Sequence, residues 1–199
     1  MNCKGEIYKN GFRTICSKPI FRCERCGATG CENKECKNQK FSNGDIYHGE
    51  INNLKKEGKG TYKFNNGDIY EGDFINGLME GEGIYSYSKT ASKYEGSFKN
   101  GKRHGKGVYY YGNGNVFDGE FENGEMKYGT FTFLNDDRYE GEFMNGKFEG
   151  KGKYYYSNGD MYDGEWSNDK KNGIGKYVLN DGSEIEGEWK DDFPVKKEN

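Results

Sequence analysis

Proline is almost missing: Pro19 and Pro194 are the only two in 199 residues. Cysteine is absent after Cys36. No apolar run approaches the ~18 residues that a membrane-spanning helix needs. Only two histidines occur, His48 and His104. Neither charge sign dominates, since 30 basic residues face 33 acidic ones for a net charge of −3. That balance argues against a dedicated nucleic-acid binder, which carries a basic footprint. Hydrophobic residues make up only 32% of the chain, and the mean hydropathy is −1.15. Those two figures alone describe a disordered chain. Aromatics reach 16%, however, with 17 Tyr, 13 Phe and 2 Trp, and disordered chains are aromatic-poor. Glycine occurs 32 times, and its fixed spacing points to a repeat, not a linker.

The chain divides at about residue 40. All six cysteines precede that point, and a repeat follows it. Its starts are Tyr47, Tyr70, Tyr94, Phe117, Tyr139, Tyr162 and Ile185, at steps of 23, 24, 23, 22, 23 and 23 residues. This makes six full repeats and a truncated seventh. Within each repeat the residues alternate with a period of two, as a strand requires. In the second, Tyr70, Gly72 and Phe74 alternate with Glu71 and Asp73; Asn76-Gly77 marks a turn; Gly81, Gly83, Tyr85 and Tyr87 then alternate with polar residues and Ile84. Every repeat is therefore expected to be a β-hairpin with one face of rings and glycines. A single hairpin is marginal in water, but stacked hairpins share one core. The expected fold is all-β, an elongated array of stacked hairpins.

The pattern Tyr-x-Gly-x-Phe-x-Asn-Gly, then Gly-x-Gly-x-Tyr, resembles the MORN repeat (membrane occupation and recognition nexus). Tyr139-Glu140-Gly141-Glu142-Phe143-Met144-Asn145-Gly146 with Gly150-Lys151-Gly152-Lys153-Tyr154 follows it throughout. The resemblance spans residues 41–191, with a tail at 192–199. Two repeats depart from it. The fourth is one residue short and places Lys127 at the first glycine of the pair, and the sixth carries Asp169 at the turn glycine. The resemblance implies a binding protein without chemistry of its own. His48 and His104 lie in different repeats, so no Ser/His/Asp or Cys/His constellation forms, and the chain reads as non-enzymatic. The candidate partner-binding residues are Tyr62, Tyr85, Tyr109, Tyr154 and Trp189, and a last strand near Trp189 would allow a homo-oligomer unless the tail at 190–199 folds over it. MORN arrays are associated with acidic phospholipids. The alternative reading is thus a peripheral membrane adaptor that uses basic turn residues Lys55, Lys56, Lys102, Arg103, Lys106, Lys170 and Lys171.

Residues 1–40 form a separate Cys-rich segment. Cys23-Glu24-Arg25-Cys26-Gly27 resembles a zinc knuckle, and Cys31 and Cys36 would complete a four-sulfur site for structural zinc. Disulfides and free thiols are the competing readings. Cys3 and Cys16 flank an expected small hairpin that turns at Asn10-Gly11. The opening residues Met1 to Glu6 lack the apolar core of a secretion signal, and Asn2 is no acceptor for N-myristoylation. The expected location is the cytoplasm, with membrane or cytoskeletal association as a further expectation. The sequence as a whole reads as a protein–protein interaction scaffold.

Overall fold

Strand alternation places the opening ring of each repeat and the glycine two residues later on one face. The computed structural model describes residues 5–9, 12–16 and 37–196. Near the N-terminus β1 (Gly5–Lys9) and β2 (Phe12–Cys16) pair antiparallel, with Lys9 opposite Phe12. The other fifteen strands follow one another in chain order in an antiparallel sheet. The first six are β3 (Lys37–Lys40), β4 (Ile46–Asn52), β5 (Lys55–Lys63), β6 (Ile69–Ile75), β7 (Leu78–Tyr87) and β8 (Ser92–Lys99). Then come β9 (Lys102–Tyr110), β10 (Val116–Glu122), β11 (Glu125–Thr132), β12 (Arg138–Met144) and β13 (Lys147–Tyr155). The last are β14 (Met161–Ser167), β15 (Lys170–Val178), β16 (Glu184–Lys190) and β17 (Phe193–Pro194). No helix occurs among the described residues, and so none is long and apolar enough to cross a membrane. The all-β hairpin architecture is as the period-two pattern requires. The chain forms two structural units, Met1–Lys102 and Arg103–Asn199.

In the first unit Tyr47, Tyr70 and Tyr94 are fully buried. Their hydroxyls donate to the carbonyls of Glu50 (2.8 Å), Asp73 (3.0 Å) and Ser97 (2.9 Å). This local bond satisfies the one polar atom of each buried ring. The rings lie across glycine pairs, Gly49 opposite Gly60 and Gly72 opposite Gly83. A Cβ built on Gly60 or Gly83 would stand 2.5 Å from the Tyr47 or Tyr70 ring. The phenylalanine of the next repeat closes each ring edge-on: Phe74 meets Tyr47 at 5.1 Å and Phe98 meets Tyr70 at 4.9 Å.

The second unit repeats the arrangement with Phe117, Tyr139 and Tyr162, again fully buried. Phe143 closes on Phe117, Trp166 on Tyr139 and Trp189 on Tyr162, at 5.0, 5.4 and 5.3 Å. The indole N–H groups of Trp166 and Trp189 donate to the carbonyls of Gly152 (3.0 Å) and Gly175 (3.1 Å). Gly107 is buried opposite Gly119.

A second contact, from a carboxylate, ties repeats together at four places. Asp45 accepts from the Tyr62 hydroxyl (2.6 Å) and the Asn65 amide (2.8 Å). Asp68 does the same with Tyr85 and Ser88, Asp137 with Tyr154 and Ser157, and Asp160 with Tyr177 and Asn180. In the fourth repeat the acceptor is Asn115, and the ring at the tyrosine's place is Phe131, which has no hydroxyl to donate. Acceptor charge and donor disappear together.

Both departures from the repeat have a structural counterpart. The hairpin tips are turns with two left-handed residues, such as Asn76 (φ 53°) and Gly77 (φ 89°). Asp169 takes the same conformation at φ 68°, and its carboxylate gains the Phe148 amide as a partner (2.8 Å). In the fourth repeat the missing residue alters the bulge. Gly49 and Glu50 oppose Gly60 and Glu57, so two residues bulge, whereas Glu120 and Phe121 oppose Tyr128 and Met126, so only Lys127 does.

Two predictions follow from this packing. Gly83→Val and Gly152→Val should each lower stability by about 1–3 kcal/mol or more, because the added atoms collide with Tyr70 and Tyr139. Denaturant unfolding midpoints equal to the parent's would contradict it. The second is a stability plateau bounded on both sides by pH. The Tyr62 and Tyr177 hydroxyls hold Asp45 and Asp160 below the ordinary carboxylate value of 3.8. Burial works against Asp68 and Asp137, but their donors outweigh it and the result is again a lowered value. A depressed carboxylate contributes stability above 3.8 that is lost as pH falls, because the unfolded chain then binds more protons. Burial also pushes the Tyr156 and Tyr162 phenols from 10.0 up to about 12. The folded chain keeps protons there that the unfolded chain loses, so stability should fall as pH rises above 10.0. Urea midpoints across pH check both edges, and Asp68→Ala should cost about 2–3 kcal/mol at neutral pH.

Candidate functional site

The returning strand of each repeat adds a second row of rings above the buried floor. In the first unit Phe41, Tyr62, Phe64, Tyr85 and Tyr87 follow one another at centroid distances of 5.7, 4.7, 5.5 and 4.5 Å. The second unit has Tyr109, Tyr111, Phe131 and Phe133 at 4.5, 5.4 and 4.8 Å, then Tyr154, Tyr156 and Tyr177 at 5.9, 4.5 and 5.6 Å. Apart from Tyr62, these rings are half-buried. Each row is left partly open to solvent.

The sequence-derived ring set falls into two groups. Tyr85, Tyr109 and Tyr154 lie in the half-buried rows. Tyr62 is buried under the Lys56 side chain and bonded to Asp45. Trp189 is 4% exposed, and the chain beyond it folds back: β17 pairs with Trp189 and Lys190, and the Val195 amide bonds to the Glu188 carbonyl.

The basic set also separates. Lys55, Lys102, Lys106 and Lys170 are exposed, and Lys170 pairs with Asp191 at 3.0 Å. Lys56, Arg103 and Lys171 turn inward over the rings. The Lys56 ammonium sits 4.0 Å from the Tyr62 centroid and 5.4 Å from Phe74. Arg103 lies 5.1 Å from Tyr109 and 5.2 Å from Phe121 and donates to the Gly124 carbonyl (2.6 Å). Lys171 is surrounded by Tyr177 (4.9 Å), Trp189 (5.1 Å), Tyr162 (5.6 Å) and Tyr156 (5.8 Å). Burial pushes the Lys56 and Lys171 ammonium groups below the ordinary lysine value, with Asp45 and Asp192 opposing it. Ring faces stabilise a cation held this way.

Reading the basic residues as turn residues missed this inward position. The same place in the other full repeats holds Met79, Met126 and Phe148, and Phe148 stacks on Tyr139 at 3.8 Å. The signal was available: Lys56, Gly58, Gly60, Tyr62 and Phe64 are separated by two residues each and share a face. Sequence reasoning also missed the carboxylate ties of Asp45, Asp68, Asp137 and Asp160, whose signal was an aspartate two residues before the repeat start. The four cysteines Cys23, Cys26, Cys31 and Cys36 lie outside the described residues. No group of His, Cys, Asp and Glu among the described residues is arranged to hold a metal.

The family model for the MORN repeat matches residues 47–69, 70–90, 94–116, 139–161, 162–184 and 186–195. The fourth repeat, one residue short, falls between the matched segments. No curated protein matches the chain. Among solved structures, the TCP10c domain of Drosophila melanogaster Sas-4 is similar at 16% identity and a TM-score of 0.43, covering 77% of this chain and 92% of that one. The TCP10 domain of Danio rerio CPAP is similar at 12% identity and a TM-score of 0.29, covering 77% and 100%. The same domain in complex with a peptide of Danio rerio STIL gives 10% identity and 0.31, covering 77% and 94%. With the ring-over-glycine hairpin matched six times across more than half of its length, this chain belongs to the MORN repeat family.

Proposed function

We propose that the protein is a non-enzymatic interaction scaffold that holds a protein partner against its half-buried ring rows. One observation carries the reading: tyrosines make up most of these rows and, Tyr62 apart, remain partly open, although the floor below them already closes the core. Tyrosine offers a large amphipathic contact at low entropy cost, and aromatic side chains are enriched at protein interfaces. Lys56, Arg103 and Lys171 rest on rings, which withdraws part of the basic set from any lipid surface. A cytoplasmic location agrees with this role.

Capture from native lysate, with mass spectrometry, tests the proposal. Tyr109→Ser/Tyr154→Ser should reduce recovery of the partner at least about tenfold, as loss of interface aromatics does. Lys55→Glu/Lys102→Glu/Lys170→Glu should leave it unchanged. If the charge reversals abolish binding and also abolish flotation with phosphatidylserine vesicles, the membrane-adaptor reading takes its place. Unfolding curves of both variants separate lost contact from lost fold.

The cysteine segment is proposed to bind one structural zinc through Cys23, Cys26, Cys31 and Cys36, on the chemistry of the four thiolates. Metal analysis of protein prepared without added zinc should give one equivalent, and Cys23→Ser should lose it. Full retention of zinc in that variant would overturn the ligand set.

A further inference from the structure

The skipped residue of the fourth repeat has a chemical consequence one repeat later. Eight Asn–Gly pairs lie in the described turns, and each is a candidate for deamidation. In that reaction the glycine amide nitrogen loses its proton and attacks the asparagine Cγ. A C–N bond forms, the bond to Nδ2 breaks, and ammonia leaves. Water then opens the succinimide at either carbonyl, which gives aspartate or isoaspartate. A glycine N–H held in a hydrogen bond reacts only after that bond opens.

Seven of the eight glycines are held. Gly77, Gly101 and Gly124 donate to the carbonyls of Lys56, Met79 and Arg103 in the preceding repeat, each at 2.9 Å. Gly44, Gly67, Gly114 and Gly159 donate within their own turns to Phe41, Phe64, Tyr111 and Tyr156 at 2.9–3.0 Å. Gly146 alone among these turns has no backbone acceptor. Asn172–Gly173 is inside β15, where Gly173 opposes Trp189.

The cause is the shortened neighbour. β5 and β13 reach toward the next hairpin tip as far as the pairs Gly58–Phe74 and Gly150–Trp166. Pairing of β11 with β12 stops earlier, at Tyr128–Glu142. A second anchor is also lost. The Asn76, Asn100 and Asn168 amides donate to the carboxylates of Glu57, Glu80 and Glu149. In the fourth repeat the residue that follows the inward position is the bulged Lys127, which has no acceptor to offer, and its ammonium lies 3.7 Å from Glu122 and Glu125 of its own hairpin. Asn145 and Gly146 are both exposed, whereas Gly77, Gly101 and Gly124 are half-buried.

The geometry points to Asn145–Gly146 as a spontaneous modification site, the first of these turn pairs to deamidate. An isoaspartate there adds a methylene to the backbone of a two-residue turn. It would break the Phe143–Phe148 register and disturb the Phe148 stack on Tyr139.

Ageing the full chain in mildly alkaline buffer, followed by peptide mapping, tests this. Each turn peptide is scored for the mass gained when an amide becomes an acid, and for isoaspartate. Asn145 should convert about threefold to tenfold faster than Asn76, Asn100 or Asn123, the effect of one hydrogen bond on the opening equilibrium. Conversion at equal rates, or faster at any other of these turn pairs, overturns the assignment. Inserting a glycine between Lys127 and Tyr128 should slow Asn145 to the rate of the others. A folded insertion variant with an unchanged Asn145 rate refutes the proposed cause.

Discussion

A flat ring over a bare backbone is the contact on which everything else depends. Each buried tyrosine lies across two facing glycines, so the strands approach the ring with no Cβ between them. Tyrosine suits the place because its hydroxyl reaches a carbonyl three residues on. The core is thus built from few residues per repeat, and a chain with only 32% hydrophobic residues still closes one. The edge-on ring from the following repeat makes each pocket a joint property of two neighbours, as in other repeat folds.

The carboxylate ties work on the same neighbour-to-neighbour scale. Asp45 and Asp68 are buried at the turn, Asp137 and Asp160 half-buried, and each gathers a hydroxyl and an amide from the strand that follows. Hydrogen bonds to a charged acceptor are stronger than neutral ones. At Asn115 the amide half of the tie survives, with the Leu134 N–H donating to its side-chain oxygen at 3.1 Å, while Phe131 has no hydroxyl to add. Ring packing, not the carboxylate, is the constant element of the array.

Much of this was legible in the residues. The 23-residue period and the alternation placed Tyr70, Gly72 and Gly83 correctly on one face, and Asn-Gly marked the tips. Lys56, Arg103 and Lys171 were harder, because charge suggests solvent while strand parity puts them over rings. A two-residue bulge preserves that parity, and bulges are invisible without a register. The protection of Trp189 depended on a tail of only a few residues folding back, which no periodicity announces.

The inward position of the returning strand varies in chemistry more widely than the ring and glycine positions around it. Lysine, methionine, arginine and phenylalanine all occupy it, and the hairpins around Lys56, Met79 and Arg103 make the same main-chain bonds. The backbone is indifferent to what stands there. Apart from the shortened fourth, each repeat therefore resembles a socket of fixed shape with an exchangeable insert. The charge, softness and width of the ring-lined surface are open to adjustment one repeat at a time, by evolution or by a protein engineer, without redesign of the framework.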